Sequence, residues 1–284
     1  MSYLVMPHLK IQAANVHTAG WLLGGPPVMA SVLFGHALAR DLACTVAGVA
    51  LVHHDQQLLG EWGSGRWRPQ QRRAAALTFT NKLKNGKDYA STNAHALSLQ
   101  PVACAHMDLS LVIEVDGLHA REAVQERLAH ARLAGGNVVS YGEPSLVDDE
   151  RDLASVLVDV DRQFGIGSGF VVRDRSDLLA PTATETRTDR LIRALGVGPN
   201  HARALTTPSP WLSPACLGYA ALTPFALRDG IREGARGYSH GFVEPLIGLV
   251  QYESLRVADA KTLNQSLWRA HWPLSDVFAI RHLS

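Results

Sequence analysis

The sequence predicts an α+β protein, and three observations lead to that prediction. Several segments alternate apolar and polar residues as strands do, and two others repeat apolar residues with the period of a helix. Along residues 1–142 these segments run strand, helix, strand, long hairpin, strand, helix, strand. This is the β-α-β-β-α-β order of a modified RRM-like or ferredoxin-like core. Since the chain has 284 residues, we expect a second, less regular portion, residues 143–284, packed on the first.

The first four elements follow from local composition. Residues 3–12 are β-prone and predict an opening strand, with Pro7 best accommodated at a sheet edge or a bulge. Residues 15–27 are rich in glycine and proline and predict a loop. Apolar residues share one face of a helix over 28–42, and the apolar run 45–53 predicts a buried strand.

The core then closes with three further elements. Residues 107–115 alternate like a half-buried strand, and a helix is predicted over 119–133. The pair Gly135-Gly136 ends that helix, and residues 137–141 return as a strand.

The second portion gives weaker patterns. The acid-rich stretch 143–161 is interpreted as solvated surface or as a face that meets a basic partner. Residues 169–173 predict a short strand, and a helix fits 188–205 with a break at Gly196 to Pro199. A stiff connection into the C-terminal third is predicted from its prolines, namely Pro208, Pro210 and Pro214.

A basic segment lies between the second and third core strands, at about residues 60–100. From Trp62 to Lys87 it holds seven of the 27 basic residues and no acid, so the remaining chain carries 20 basic against 26 acidic residues. Glycines and Pro69 oppose a helix there, and Asn85-Gly86 predicts a hairpin turn. A concentrated positive charge with interspersed aromatic rings favours binding of a nucleic acid. The alternative is a solvated surface loop.

Other functional classes find little support. Three separated cysteines argue against a disulfide framework and suit a cytoplasmic protein, and we expect no signal peptide or membrane span. No Walker A or nucleophile-elbow motif occurs, and the triplet Gly165, Gly167, Gly169 does not open a helix, so we expect neither enzymatic activity nor a cofactor. No metal site is expected either, because His53 and His54 would point to opposite faces of a strand unless a bulge intervened.

Five segments together resemble one known family. They are PHLKIQAANV (residues 7–16), VLFGHALAR (32–40), RLAGGN (132–137), WLSPACLGYAALTP (211–224) and FVEPLIGLVQY (242–252). In this order they resemble the Csy-two family of CRISPR-associated proteins, the Cas-five-type RAMP subunits of type I-F surveillance complexes. The resemblance implies a non-catalytic subunit that binds the 5′ handle of the CRISPR RNA (crRNA). It also implies contacts with the large subunit and the backbone subunits, with target DNA bound through the assembled complex. The hairpin would be a thumb, and residues 133–137 the glycine-rich loop of RAMP proteins.

The RNA-binding residues expected on this basis fall into three groups. Hairpin cations would contact phosphates while Trp67 or Phe79 stacks a base: Arg66, Arg68, Arg72, Arg73, Lys82, Lys84 and Lys87. Gln12 and Asn15 would read base edges. The remaining candidates are His36 and Arg40 on the first helix and the loop residues Arg132, Gly135, Gly136 and Asn137. For some of these, structural roles compete: Arg40 would simply face water, or Gly135-Gly136 would only end a helix.

Two further functions stay open. An endoribonuclease that trims crRNA would need His36 or His95 as a base near Tyr89 or a lysine. A reader of the protospacer-adjacent motif would use the same basic hairpin to bind DNA.

Overall fold

The structure, a computed structural model, describes most of the chain. The described residues are 2–19, 22–69, 71–72, 100–101, 103–118, 121–148, 151–163, 169–196, 211–228 and 237–282. The predicted turn at Asn85-Gly86 lies outside them, as do most cations of the basic segment.

The described chain is a mixed α and β structure dominated by antiparallel strands. The strands are β1 Ser2–Asn15, β2 His17–Ala19, β3 Leu22–Leu23, β4 Thr45–Gly63, β5 Arg66–Pro69, β6 Gln71–Arg72, β7 Gln100–Pro101, β8 Cys104–Asp116, β9 Arg132–Leu133, β10 Gly136–Ser140, β11 Ser145–Asp148, β12 Phe170–Asp174, β13 Leu212–Ala221, β14 Val243–Ser254, β15 Trp268–Leu274 and β16 Val277–His282. The helices are α1 Val28–Asp41, α2 Arg121–Leu128, α3 Leu153–Gln163, α4 Arg187–Ala194 and α5 Ala260–Asn264, with a 3-10 turn at Ser176–Leu179.

Four strands of the first portion lie side by side in the order β4, β8, β1, β10. Helices α1 and α2 pack on one face of these strands, where Val32 and Leu128 join the main core with Leu9 and Leu111. Gly35 lets α1 approach the sheet closely, because a Cβ atom there would lie 3.0 Å from Cγ2 of Val49. The predicted strands 3–12, 45–53 and 107–115 and the helix 28–42 are therefore confirmed.

Strands of the second portion extend the same sheet and close a ring. One edge of β4 pairs with β8, while the other edge pairs first with β15, at Val49 and Trp268, and then with β12, at Val52 and Val171. Because β12, β14, β13, β16 and β15 are neighbours in that order, six strands form a closed ring. Trp268 is fully buried, and its indole Nε1–H donates to the carbonyl of Val172 across the ring at 3.0 Å.

The second face of the first-portion strands is covered over only part of its length. Val5, Val52 and Val112 pack under α3 in a second core that includes the fully buried Leu157. The carboxamide oxygen of Asn264, at the end of α5, accepts from the backbone N–H of Ala154 at 2.8 Å and ties α5 to the start of α3. Beyond these helices the same face carries polar side chains.

Several predicted bounds were wrong. Helix α2 ends at Leu128, where residues 119–133 had been expected, because Arg132–Leu133 already pairs with β10 as a strand. Gly135-Gly136 thus belongs to the β9–β10 hairpin and does not end a helix. By contrast, helix α4 ends at Ala194 and Gly196 follows it with a φ of 71°, in agreement with the break predicted there; residues 197–205 lie outside the described residues.

The strands of the C-terminal third were not predicted. Pro214 lies inside β13 and not in a connection, and β14, β15 and β16 also escaped the sequence analysis. The predicted strand 169–173 is confirmed as β12. Within the part of the chain that the structure describes, no helix is both long and apolar enough to span a membrane.

Candidate nucleic-acid interface

A polar groove of about 500 Å³ opens where β1, β8 and β10 meet the β9–β10 hairpin. Four predicted residues meet there. Gln12 pairs with Asn137 across β1 and β10, Asn137 pairs with Arg132 across β10 and β9, and Gly135 lies in the turn between β9 and β10. The groove is lined by Gln12, Ala13, Leu59, His106, Arg132, Gly135 and Asn137. We call this surface the Arg132 groove.

A bulge in β1 forms the floor of the Arg132 groove. The β1–β8 pairing shifts register between Ile11 and Ala14, and Ala13 has a φ of 58° in the left-handed region. The backbone N–H of Ala13 donates to Nδ1 of His106 at 3.3 Å, so the neutral imidazole carries its proton on Nε2. Bulges of this kind redirect side chains and are common beside functional sites.

The β9–β10 turn forms one wall of the groove. Ala134 and Gly135 have φ values of 49° and 77°, and the guanidinium of Arg132 donates to the carbonyl of Gly135 at 2.7 Å. A Cβ atom on Gly136 would lie 2.6 Å from the carbonyl oxygen of Gln12, whereas one on Gly135 would meet open space. Gly136 therefore permits packing against β1, and Gly135 faces the groove.

Charge differs along the sheet face opposite α1 and α2, which we call the exposed face. Arg132 is the one cation among the residues lining its groove, and no carboxylate lines it in the described part of the chain. An adjoining groove of about 470 Å³ contains Lys10 but also Asp55 and Asp108. A polyanion would therefore bind more favourably in the Arg132 groove than in its neighbour.

Strand β4 joins the Arg132 groove to the basic hairpin. Leu59 lines the groove, and β4 continues to Gly63 before the chain turns and pairs back as β5. The side chain of Arg68 is exposed, and its cross-strand neighbour is Glu61, an acid just before the acid-free window. The positive charge of Arg68 therefore has an acidic neighbour that lies outside the acid-free window in sequence but opposite Arg68 in the hairpin.

The aromatic residues of this hairpin differ in exposure. Trp62 is 78% exposed, while Trp67 is half-buried. The Trp67 ring lies over Gly60, where a Cβ atom would come within 2.5 Å of the ring. Trp62, which was not among the predicted RNA-binding residues, is therefore the more accessible stacking surface.

Other predicted residues lie elsewhere or outside the described residues. The side chains of His36 and Arg40 are exposed on α1, which packs on the opposite face of the sheet from the groove. Asn15 lines a separate cavity of about 270 Å³ beside α1, and its Oδ1 accepts from the backbone N–H of His17 at 2.9 Å. Arg66 lies in β5 and Arg72 in β6. Outside the described residues are Arg73, Phe79, Lys82, Lys84, Lys87, Tyr89 and His95.

Two residues on this face, His106 and Lys10, were not predicted from the sequence. Strand alternation gave a usable signal for His106, because it lies two and four positions before Asp108 and Ser110, on the face opposite Leu109. Lys10 lies two positions before Gln12 on β1.

Comparison with known proteins gives one positive finding. A protein-family model described as CRISPR-associated protein (Cas_Csy2) matches residues 4–278, nearly the whole chain. No curated protein sequence matches the chain.

Proposed function

The chain belongs to the Cas_Csy2 family of CRISPR-associated proteins, and we propose that it is the non-catalytic subunit of a type I-F Csy complex that binds the 5′ handle of the crRNA. The family match supports a role as a subunit of a CRISPR effector complex. The handle-binding role is our inference from the surface described above.

The observation that carries this proposal is the continuity between the Arg132 groove and the basic hairpin. A single strand, β4, contributes Leu59 to the groove and then forms one arm of the hairpin with Trp62 and Arg68. RNA could therefore follow one path from the hairpin into a polar groove lined by Gln12 and Asn137.

The chemistry of the path suits single-stranded RNA. The Arg132 guanidinium, already oriented by the Gly135 carbonyl, would donate to a phosphate. The carboxamides of Gln12 and Asn137 offer both donors and acceptors to base edges, and Trp62 would stack an unpaired base. The hairpin cations, including those outside the described residues, would contact further phosphates.

An RRM-like core is part of the proposal. The strand order β4, β8, β1, β10, with α1 and α2 on one face, supports it. RRM domains bind RNA on the opposite face of the sheet. Here α3 covers one end of that face over Val5 and Val112, so we place the RNA at the uncovered end.

The partners are also proposals. We infer that the chain contacts the large subunit and the backbone subunits of the complex, and that target DNA is bound through the assembly in the cytoplasm. Exposed apolar residues at one end of β13 and β15, such as Leu222 and Trp272, support a subunit contact in the C-terminal portion.

Co-purification tests the proposal directly. The chain is expressed with its genomic neighbours and a CRISPR array, the particle is purified, and its RNA is sequenced. We expect guide RNAs with a common 5′ end, and ultraviolet crosslinking should join that end to this chain. Particles whose RNA crosslinks at the 5′ end only to other subunits would contradict the proposal.

A further inference from the structure

Three neighbouring strands bring two histidines and an aspartate together on the exposed face. Nδ1 of His8, from β1, lies 3.0 Å from Oδ1 and 3.2 Å from Oδ2 of Asp108, from β8. The imidazole of His54, from β4, stacks on that of His8 with ring centroids 4.1 Å apart. One nitrogen of each histidine and one oxygen of Asp108 all lie within 4.8 Å of one another.

Two bulges create this cluster. The β1–β8 pairing shifts register between Met6 and Leu9, and His8 has a φ of 48°. The β4–β8 pairing shifts between His53 and Asp55. His53 then points into the core, whereas His54 points to the exposed face. A left-handed backbone at a residue other than glycine costs free energy and is concentrated at functional sites.

Ser110 contacts both histidines, His8 through its backbone and His54 through its ring. Its side chain is fully buried, and its Oγ accepts from the backbone N–H of His8 at 2.9 Å and lies 2.7 Å from Nε2 of His54. Metal-binding histidines are commonly oriented by a hydrogen bond at the ring nitrogen that does not bind the metal. The Ser110 hydroxyl offers such a contact to Nε2 of His54, so Nδ1 of that ring would be the atom that binds the ion.

We propose that His8, His54 and Asp108 bind one divalent transition-metal ion of the zinc type. Imidazole nitrogen and carboxylate oxygen are ligands that zinc accepts, and three protein ligands leave one position open. Asp108 also lines the groove beside Lys10, so the open position faces solvent and would hold water or an anionic oxygen.

Binding requires rearrangement of the cluster. Zinc–ligand bonds of about 2.0–2.2 Å in a tetrahedral site place the ligand atoms roughly 3.3 Å apart. Nδ1 of His8 and Oδ1 of Asp108, now 3.0 Å apart, must separate slightly, and the half-buried His54 ring must rotate out of its stack on His8 to point a nitrogen at the same ion. Nδ1 of His8 must carry no proton to bind the ion, so a neutral His8 ring would bind as the tautomer with its proton on Nε2. His8 and Asp108 would then both bind the ion, and these two bonds would replace the present hydrogen bond between their side chains.

Cobalt is a suitable probe because its visible absorption reports the ligands and geometry. The full chain, without a histidine tag and stripped with a chelator, is titrated with Co²⁺ at neutral pH and then with Zn²⁺. We expect a single Co²⁺ per chain with visible bands that Zn²⁺ abolishes. Asp108→Asn and His54→Gln should each weaken binding at least tenfold.

The controls separate this site from other histidines and from misfolding. His130→Ala removes an exposed histidine at the end of α2 and should bind Co²⁺ as the unsubstituted chain does. Without metal, Asp108→Asn should melt close to the unsubstituted chain, since an amide oxygen can still accept from His8. Zn²⁺ should raise the melting temperature of the unsubstituted chain more than that of this variant. Absent cobalt bands, or binding unchanged in both substituted chains, would overturn the proposal and leave the cluster a hydrogen-bonded histidine pair.

Discussion

The face of strands β1, β4 and β8 that lies opposite α1 and α2 differs between its two ends, although the same strands form both ends. At one end Val5, Val52 and Val112 are buried under α3. At the other end the strands present Gln12 and His106 to the Arg132 groove. Both ends are antiparallel ladders with the same neighbours.

The bulges mark the boundary between these ends. His8 and the His53–Asp55 step lie where the apolar side chains stop, and Ala13 follows within the polar end. A bulge shifts register and re-aims side chains, so a strand can serve a core at one end and a ligand surface at the other. In this protein, interruptions of the ladder divide the part of the sheet face that packs under α3 from the part where we propose that RNA binds.

The largest expected effect is at the covered end. Replacing Leu157 by alanine should lower the free energy of unfolding by about 2–5 kcal/mol, because this fully buried side chain leaves a cavity between α3 and the sheet. Urea denaturation measures the change. A loss no larger than that of an exposed control, Leu146→Ala, would show that α3 does not pack as described.

His53 and His54 of β4 point to opposite faces of the sheet, and the buried one, His53, should make the stability of the fold depend on pH. Burial, with a further contribution from His54, lowers the pKa of His53 to about 4. The folded state therefore favours the neutral imidazole, and the resulting stability is complete above pH ~6.5 and lost as the pH falls towards 4. The loss attributable to His53 is on the order of 3 kcal/mol. Urea denaturation at several pH values should show a weaker acid dependence for His53→Gln than for the unsubstituted chain; equal dependence would contradict the burial of this imidazole.

A smaller effect is expected at the groove wall. Gly136→Ala should destabilise the fold by about 1–3 kcal/mol, because its methyl group would meet the Gln12 carbonyl and the Ala14 amide. Gly135→Asn is the matched control, since asparagine tolerates a positive φ and a side chain there meets open space. Thermal melting compares the two. Equal melting temperatures would mean that the turn does not press against β1.

The first portion of the fold could be predicted because its signals are local. Apolar periodicity located β1, α1, β4 and β8, and their order predicted a four-stranded arrangement. In the C-terminal third, the apolar run 246–250 of β14 was a usable signal that was not used. Pro214 interrupts the pattern of β13, and the edge of β4 is shared between β12 and β15, which is a long-range pairing that a sequence window does not reveal.

Local signals also nominated several residues of the candidate site. Gln12, Arg132 and Asn137 were each predicted to bind RNA, but in different groups, and only the pairing of β1, β10 and β9 shows that they line one groove. His106 required the register of β8, and the separation of His36 and Arg40 from the groove required knowing which sheet face α1 covers. Charge counting located the basic segment, but it did not predict the turn at residues 64–65 or the Glu61–Arg68 pairing beside it.

The central claim is that RNA binds the exposed face at the Arg132 groove and not on α1. The most direct measurement is the affinity of the chain for its guide RNA over roughly 50–200 mM salt, for Arg132→Ala and for Arg40→Ala. Loss of a charge-assisted phosphate contact should weaken binding by about tenfold in Arg132→Ala and reduce the salt slope by about one. Arg40→Ala should bind as the unsubstituted chain does; the opposite pattern, with Arg40 essential and Arg132 dispensable, would contradict the account.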